Sequence, residues 1–209
     1  SHFSQGSTGK PVVVLNQLNS AHPKSTYRDQ AIYQLGEIHF QQQEYDAAIA
    51  DYQNLIKQLP ESAFVPAALY GTAAAQFEKL DYKAAVASLD QLITQHAAVE
   101  IAPRGKYLRG MCRLRLMQYE PGVKDLTEFI ATKPVESDAL GARFALARCQ
   151  VALKQHAAAI NGLNALLKDK PDYERADDVY YELAFAYLDT EKAKEAAATF
   201  RQLAEKLPM

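Results

Sequence analysis

The sequence has no tryptophan, two cysteines and five histidines among its 209 residues. None of the histidines has a partner at metal-ligand spacing, and neither cysteine lies beside a histidine in a site-like arrangement. A glycine-rich phosphate loop and a nucleophile elbow are also missing. These absences argue against an enzyme, and we therefore expect no catalytic residue, no cofactor and no metal site.

The chain also lacks an excess of positive charge and a long apolar run. Its 23 Lys and Arg residues against 25 Asp and Glu residues give a net charge of −2, whereas a nucleic-acid partner requires a strong basic field. No stretch of 18 apolar residues occurs, so the sequence predicts no transmembrane segment. With 48% hydrophobic residues, nine glycines and nine prolines, the composition is typical of a chain that buries a continuous core.

An internal period of 37 residues is the strongest positive signal in the chain. It is marked most clearly by one set of equivalent positions, Tyr45, Tyr82, Tyr119, His156 and Ala193. Such a period indicates stacked copies of one supersecondary unit. Within a copy, apolar residues recur at the i, i+3, i+4 and i+7 spacing of a buried helical stripe, as between Tyr52 and Leu59. Each copy is therefore predicted to be a pair of antiparallel helices.

The residues of the first copy resemble the tetratricopeptide repeat. The family's leucine-glycine pair, tyrosine, small alanine, aromatic residue and closing proline are read here as Leu35, Gly36, Tyr45, Ala48, Tyr52 and Pro60. The resemblance extends from about Val12 to Pro208. It implies an all-α fold, a right-handed superhelical solenoid of antiparallel helix pairs.

The period also predicts how the chain is divided. Residues 1–9 are rich in serine and glycine and are interpreted as residual tag sequence or a disordered linker. Residues 10–208 are predicted to form a single array, with a half repeat at 10–23 and full repeats at about 24–60, 61–97, 98–134, 135–171 and 172–208. Because the chain stops after a closing proline, Phe200, Leu203 and Leu207 are expected to be partly uncovered, which predicts either a piece of a longer protein or weak self-association.

Two features give opposite indications about the compartment. Each repeat is three residues longer than the usual 34, and the extra residues follow the closing proline, as after Pro60. In this respect the sequence resembles bacterial envelope repeat proteins such as outer-membrane assembly lipoproteins and the Tol-Pal coordinator. Cys112 and Cys149, in contrast, are predicted to be buried free thiols, which favours a reducing compartment such as the cytoplasm. The localisation therefore stays open between the envelope and the cytoplasm.

In this family the first helix of each repeat lines a concave groove. The aromatic ladder Tyr33, Tyr70, Tyr107, Phe144 and Tyr181 falls on these helices, and its rings are expected either to pack on their neighbours or to contact a ligand. The predicted partner-binding residues are Tyr33, Phe40, Tyr70, Phe77, Arg104, Tyr107, Met111, Arg115, Phe144, Arg148, Tyr181 and Phe185.

The first helix of the third repeat carries an unusual run of cations, Arg104, Lys106, Arg109, Arg113 and Arg115. One interpretation is that these charges are solvated or paired, with Asp125 and Glu128 as candidate partners. The other is a site for an anionic partner, with Arg104, Arg115 and Arg148 directed toward the groove.

The function predicted from these observations is a protein-interaction scaffold. It would bind an extended or helical protein or peptide segment, with acidic residues among apolar ones, in the groove. Two alternatives remain: a regulatory sensor of a small peptide or metabolite, and a structural spacer in a larger bacterial envelope protein.

Overall fold

The computed structural model describes residues 12, 13, 15 and 27–206, and within this part of the chain the fold is entirely α-helical. Its ten helices with defined bounds are α1 (Arg28–Gln41), α2 (Tyr45–Gln58), α3 (Val65–Glu78), α4 (Tyr82–Gln95), α5 (Ala102–Arg115), α6 (Tyr119–Ala131), α7 (Glu136–Ala152), α8 (His156–Asp169), α9 (Ala176–Leu188) and α10 (Ala193–Lys206). The second helices of the five repeats begin 37 residues apart, as the period predicts. The all-α prediction is confirmed.

The helices pack into two compact units, an N-terminal unit at residues 1–108 and a C-terminal unit at residues 109–209. In the N-terminal unit, α2 packs on α1 and α3, α3 packs on α4, and the first helices α1 and α3 also touch. In the C-terminal unit the same order holds from α6 to α10, with α7 touching α9. The first helices thus pack on second helices, as in a tetratricopeptide hairpin.

Some predictions concern residues that lie outside this description. Residues 1–9, most of the half repeat at 10–23, Leu207 and Pro208 are among them. The predicted repeat boundaries and the single array stay predictions.

The turn inside each repeat is formed in the same way five times. A non-glycine residue with φ between 58° and 63° occupies the turn at Gln43, Leu80, Met117, Lys154 and Glu191. In the first turn the N–H of Glu44 donates to the carbonyl of His39 at 2.9 Å, and the N–H of Gln43 donates to that of Phe40 at 3.0 Å. These two bonds make a Schellman motif, which satisfies the last carbonyls of the first helix and reverses the chain after three residues.

Close helix packing explains two of the glycines in the first helices. A Cβ added to Gly36 would lie 2.5 Å from Cε1 of Tyr52, and one added to Gly71 would lie 2.6 Å from its Cζ. The Tyr52 ring, fully buried, therefore fills the space that two glycines leave on α1 and α3. Its hydroxyl donates to Oε1 of Glu37 at 2.5 Å, which satisfies the one polar atom of the ring.

Both cysteines are buried free thiols, as predicted. Burial raises the pKa of Cys112 to about 12 and that of Cys149 to about 11. A Cβ on the neighbouring Gly122 would lie 3.3 Å from Sγ of Cys149, so the thiol is part of the packed core of the C-terminal unit.

Candidate partner-binding site

Two members of the cationic run belong to the core. The guanidinium of Arg109 donates to both oxygens of Asp125, at 2.8 and 2.6 Å, and Nη1 of Arg113 donates to Oδ2 at 2.7 Å. Asp125 is 1% exposed, and the two arginine side chains are 12% and 16% exposed. The interpretation that these charges are paired is confirmed for Arg109 and Arg113, which are therefore held by α6 rather than available to a partner.

The same polar contact recurs in other repeats and was not predicted from the sequence. At the positions equivalent to Arg113 and Asp125, Nδ1 of His39 lies 2.6 Å from Oδ2 of Asp51, and Oγ of Ser88 donates to Oε1 of Gln76 at 2.9 Å. Burial raises the pKa of Asp51, and the hydrogen bond with His39 opposes that rise. In each of these repeats a polar residue on the first helix is followed twelve residues later by a polar residue on the second helix. This spacing is the sequence signal that could have revealed the pairs.

In the N-terminal unit the predicted groove rings pack on neighbouring rings. Tyr33 stacks on Phe64 with centroids 5.3 Å apart, and burial followed by the nearby Glu37 raises its pKa to about 12. Phe40 and Phe77 each meet the first residue of the following helix edge to face, at 5.6 and 5.3 Å. These rings are half-buried, as are Tyr70 and Tyr107, whereas Arg104 is exposed.

In the C-terminal unit Phe144 lies in the core, although it belongs to the same aromatic ladder as Tyr33. Its side chain is 2% exposed. The guanidinium carbon of Arg175 lies 4.8 Å from the ring centroid, and that of Arg148 lies 6.0 Å from it. Phe144 thus lies in the core beside two arginine side chains.

Helix α9, which is the first helix of the fifth repeat, has a stripe of exposed apolar side chains. Tyr181, Phe185 and Leu188 are 53%, 41% and 45% exposed and lie at i, i+4 and i+7 on one face. The rings of Tyr181 and Phe185 are 4.6 Å apart, and Phe200 of α10 meets Phe185 edge to face at 5.7 Å. We call these three α9 residues the α9 stripe.

A cavity of about 360 Å³ lies in the C-terminal unit, and Glu182 of α9 is one of its lining residues. Its lining residues are Leu114, Arg115, Met117, Tyr119, Arg148, Val151, Ala152 and Glu182. Nε of Arg148 donates to Oε1 of Glu182 at 3.0 Å. The cavity therefore brings together two of the predicted site residues, Arg115 and Arg148, whereas Met111 is half-buried on the same helix as Arg115 and does not line it.

A second cavity, of about 340 Å³, lies in the N-terminal unit around the turn at Gln43. Of its three charged residues, Asp46 and Lys79 form an ion pair with each other, and Glu44 is the third. None of the predicted site residues lines it.

Two further properties concern residues 27–206 together with 12, 13 and 15. No helix in this part of the chain is long and apolar enough to cross a bilayer. Nor do three His, Cys, Asp or Glu side chains of these residues form a group that could hold a metal ion.

The helical hairpins, their shared turn and the small-residue packing define a tetratricopeptide repeat protein. A model described as tetratricopeptide repeat matches residues 142–173 and 178–208. The family model YfiO, described as outer membrane lipoprotein, matches residues 25–134, which is more than half of the chain. The protein therefore belongs to the YfiO family, and the resemblance to envelope tetratricopeptide proteins is confirmed.

Solved structures agree with this fold. MamA from Desulfovibrio magneticus is 17% identical, with a TM-score of 0.74 over 85% of this chain and 93% of that one. YrrB, described as a TPR protein with an unusual peptide-binding site, is 15% identical, with a TM-score of 0.76 over 93% and 92%. A tetratricopeptide repeat protein from Parabacteroides merdae is 16% identical, with a TM-score of 0.72 over 98% and 75%. Among curated proteins, no sequence matches this chain.

Proposed function

We propose that this protein is a scaffold that binds a segment of a partner protein on the exposed face of its first helices, with the α9 stripe as the main contact. The tetratricopeptide fold is typical of protein-interaction scaffolds and generally carries no catalytic activity. The partner segment is extended or helical, and it carries apolar residues together with an acidic one.

The observation that carries this proposal is the difference in exposure between equivalent rings. Tyr33 is stacked on Phe64, whereas its equivalent Tyr181 is 53% exposed and is followed by two further exposed apolar residues. An exposed aromatic pair offers a large contact area at a low cost in side-chain entropy, which is why such residues dominate binding hot spots. A row spaced at i, i+4 and i+7 suits a partner helix or an extended strand of alternating apolar residues.

The proposed location is the bacterial envelope. The support is the match to a family described as outer membrane lipoprotein. Fractionation of the source cells tests the location directly: recovery of the protein with the envelope is expected, and recovery with the cytosol would contradict it.

Binding is tested with a partner captured from source-cell extract, purified and titrated against the full chain by calorimetry. Phe185→Ala together with Tyr181→Ala should weaken binding at least about tenfold, because truncating hot-spot aromatics typically costs more than about 1.4 kcal/mol. Val135→Ala is the matched control, since Val135 is an exposed apolar residue in a loop of the same unit. Unchanged affinity in a double variant that retains its helix content and melting temperature would refute the proposal.

A further inference from the structure

The cavity around Arg115 and Arg148 carries an unbalanced charge. Its lining residues include two cations, Arg115 and Arg148, and one anion, Glu182, so that one positive charge is left over. The remaining walls are formed by the side chains of Leu114, Met117, Tyr119, Val151 and Ala152. Ligand sites combine apolar walls with converging polar groups, and here the surplus charge selects an anion.

We propose that this cavity binds one carboxylate of the partner segment between Arg115 and Arg148, and that Glu182 is an internal competitor that limits the affinity. The inference rests on the proposed scaffold function. It adds the chemical group recognised, the residues that recognise it and the residue that weakens recognition.

Arg115 is the cation of its helix that is available to a ligand in the cavity. Arg109 and Arg113 on the same helix are bound to Asp125. Arg115, in contrast, is exposed at the end of α5 and makes no hydrogen bond or ion pair to any residue in the described part of the chain. A carboxylate that enters the cavity would therefore be its first ionic partner.

Arg148 is held in place but keeps donors to spare. Its Nε donates to Glu182 at 3.0 Å, which uses one of the five N–H groups of a guanidinium. The centroid of the Phe144 ring lies 6.0 Å from the central carbon of the guanidinium. A planar fork fixed at one nitrogen is preorganised to bind a carboxylate through its other nitrogens.

The charge of the cavity favours a carboxylate over a phosphate group. A carboxylate carries one negative charge and neutralises the surplus, whereas a phosphate group carries about −1.5 to −2 at neutral pH and would leave the cavity with a net negative charge. The apolar walls further favour a carboxylate attached to an apolar segment. Such a group is supplied either by a glutamate or aspartate side chain or by the C-terminus of a chain.

The test titrates the full chain with three short peptides and follows the Nε–Hε signals of Arg115 and Arg148 by NMR. The first probe is Ser-Leu-Glu-Leu-Ser with both ends blocked, and the second is its glutamine analogue. The third is the glutamine analogue with a free C-terminal carboxylate, which distinguishes a chain terminus from a side chain. A carboxylate-bearing peptide should bind at least about fivefold more tightly than the blocked glutamine analogue, in line with a charge-assisted hydrogen bond.

Variants assign the effect to the cavity. Arg115→Gln and Arg148→Gln should each remove the preference for the carboxylate, whereas Glu182→Gln should tighten carboxylate binding by about three- to tenfold because a nearby like charge is lost. Arg143→Gln is the matched control: it removes the same charge from the same helix as Arg148, but Arg143 pairs with Asp169 instead of lining the cavity. This control should retain the preference.

Three results of the peptide titrations would overturn the inference. They are equal affinity for the carboxylate and blocked glutamine peptides, an Arg115→Gln effect no larger than that of Arg143→Gln, and the absence of any shift of the two arginine signals with the carboxylate peptides. Loss of partner binding in the α9 stripe variants but not in Arg115→Gln would sink this inference alone. The reverse pattern would leave the carboxylate site standing and refute the role of the α9 stripe.

Discussion

Replacing Asp125 with alanine removes the carboxylate that accepts hydrogen bonds from both Arg109 and Arg113. Asp125 is 1% exposed, and both guanidiniums would be left largely buried beside a small void. Breaking a buried ion pair from one side typically costs about 3–5 kcal/mol. Because the two arginines keep some access to water, we expect the lower end of this range, about 3 kcal/mol, in the free energy of unfolding.

Urea denaturation followed by circular dichroism at 222 nm measures this loss as a lower midpoint. Lys124→Ala, at an exposed position on the same helix, is the matched control and should change stability by less than about 0.5 kcal/mol. A loss below about 1 kcal/mol for Asp125→Ala, the value typical of surface ion pairs, would refute the view that this network is a buried structural element.

A second variant separates the network's charge from its position. The equivalent residues of the second repeat are Thr72, Gln76 and Ser88, and there the hydroxyl of Ser88 donates to Gln76 without any charge. Arg109→Thr with Arg113→Gln and Asp125→Ser copies that arrangement. It should recover most of the stability lost in Asp125→Ala, since no unpaired charge stays behind.

Three further predictions concern the turns, the thiols and the last helix. Leu80→Gly should raise stability by about 0.5–1 kcal/mol in urea denaturation, because Leu80 has φ 63° and an exposed side chain, and a left-handed backbone favours glycine; a loss of stability would contradict the strain. Cys112 and Cys149 should resist a thiol reagent at pH 8 until urea unfolds the chain, because burial raises each thiol pKa to about 12 and about 11 and suppresses the reactive thiolate; fast labelling of both in the native protein would contradict their burial. Phe200→Glu should suppress concentration-dependent association in sedimentation velocity, because Phe200 is half-buried whereas its equivalents Tyr52 and Leu89 are fully buried; a wild-type chain that stays monomeric at millimolar concentration would remove this expectation.

The period allowed the helices to be predicted because it reflects a local cause. Every second helix begins at the marked position, from Tyr45 to Ala193, since each repeat has the same turn and the same spacing of apolar residues. The turn itself was not predictable from composition, because five different non-glycine residues adopt the left-handed conformation. One helix start also departs from the period: α7 begins at Glu136 rather than at 139, after an extended Val135 that follows Pro134.

The sequence predicted the candidate site only as sets of equivalent positions in successive repeats. Phe144 and Tyr181 occupy equivalent positions, yet one is 2% and the other 53% exposed. The difference comes from the neighbours: Phe144 is covered in the core between α7, α8 and α9, whereas α9 leaves Tyr181 open. Likewise, a cationic run could not by itself separate Arg113, which is bound to Asp125, from Arg115, which lines the cavity. Burial of a side chain depends on its tertiary neighbours, which the position of a residue within its repeat does not reveal.

The central claim is that partner contact is made by the α9 stripe, and site-specific photo-crosslinking in the source cells tests it most directly. A photoreactive phenylalanine replaces Phe185 or Leu188 in turn, and as controls it replaces Asn161 or Lys168, which are exposed on α8. We predict one partner protein crosslinked strongly from Phe185 and Leu188 and weakly from the two α8 positions. Equal crosslinking from both helices, or crosslinking from α8 alone, would contradict the claim.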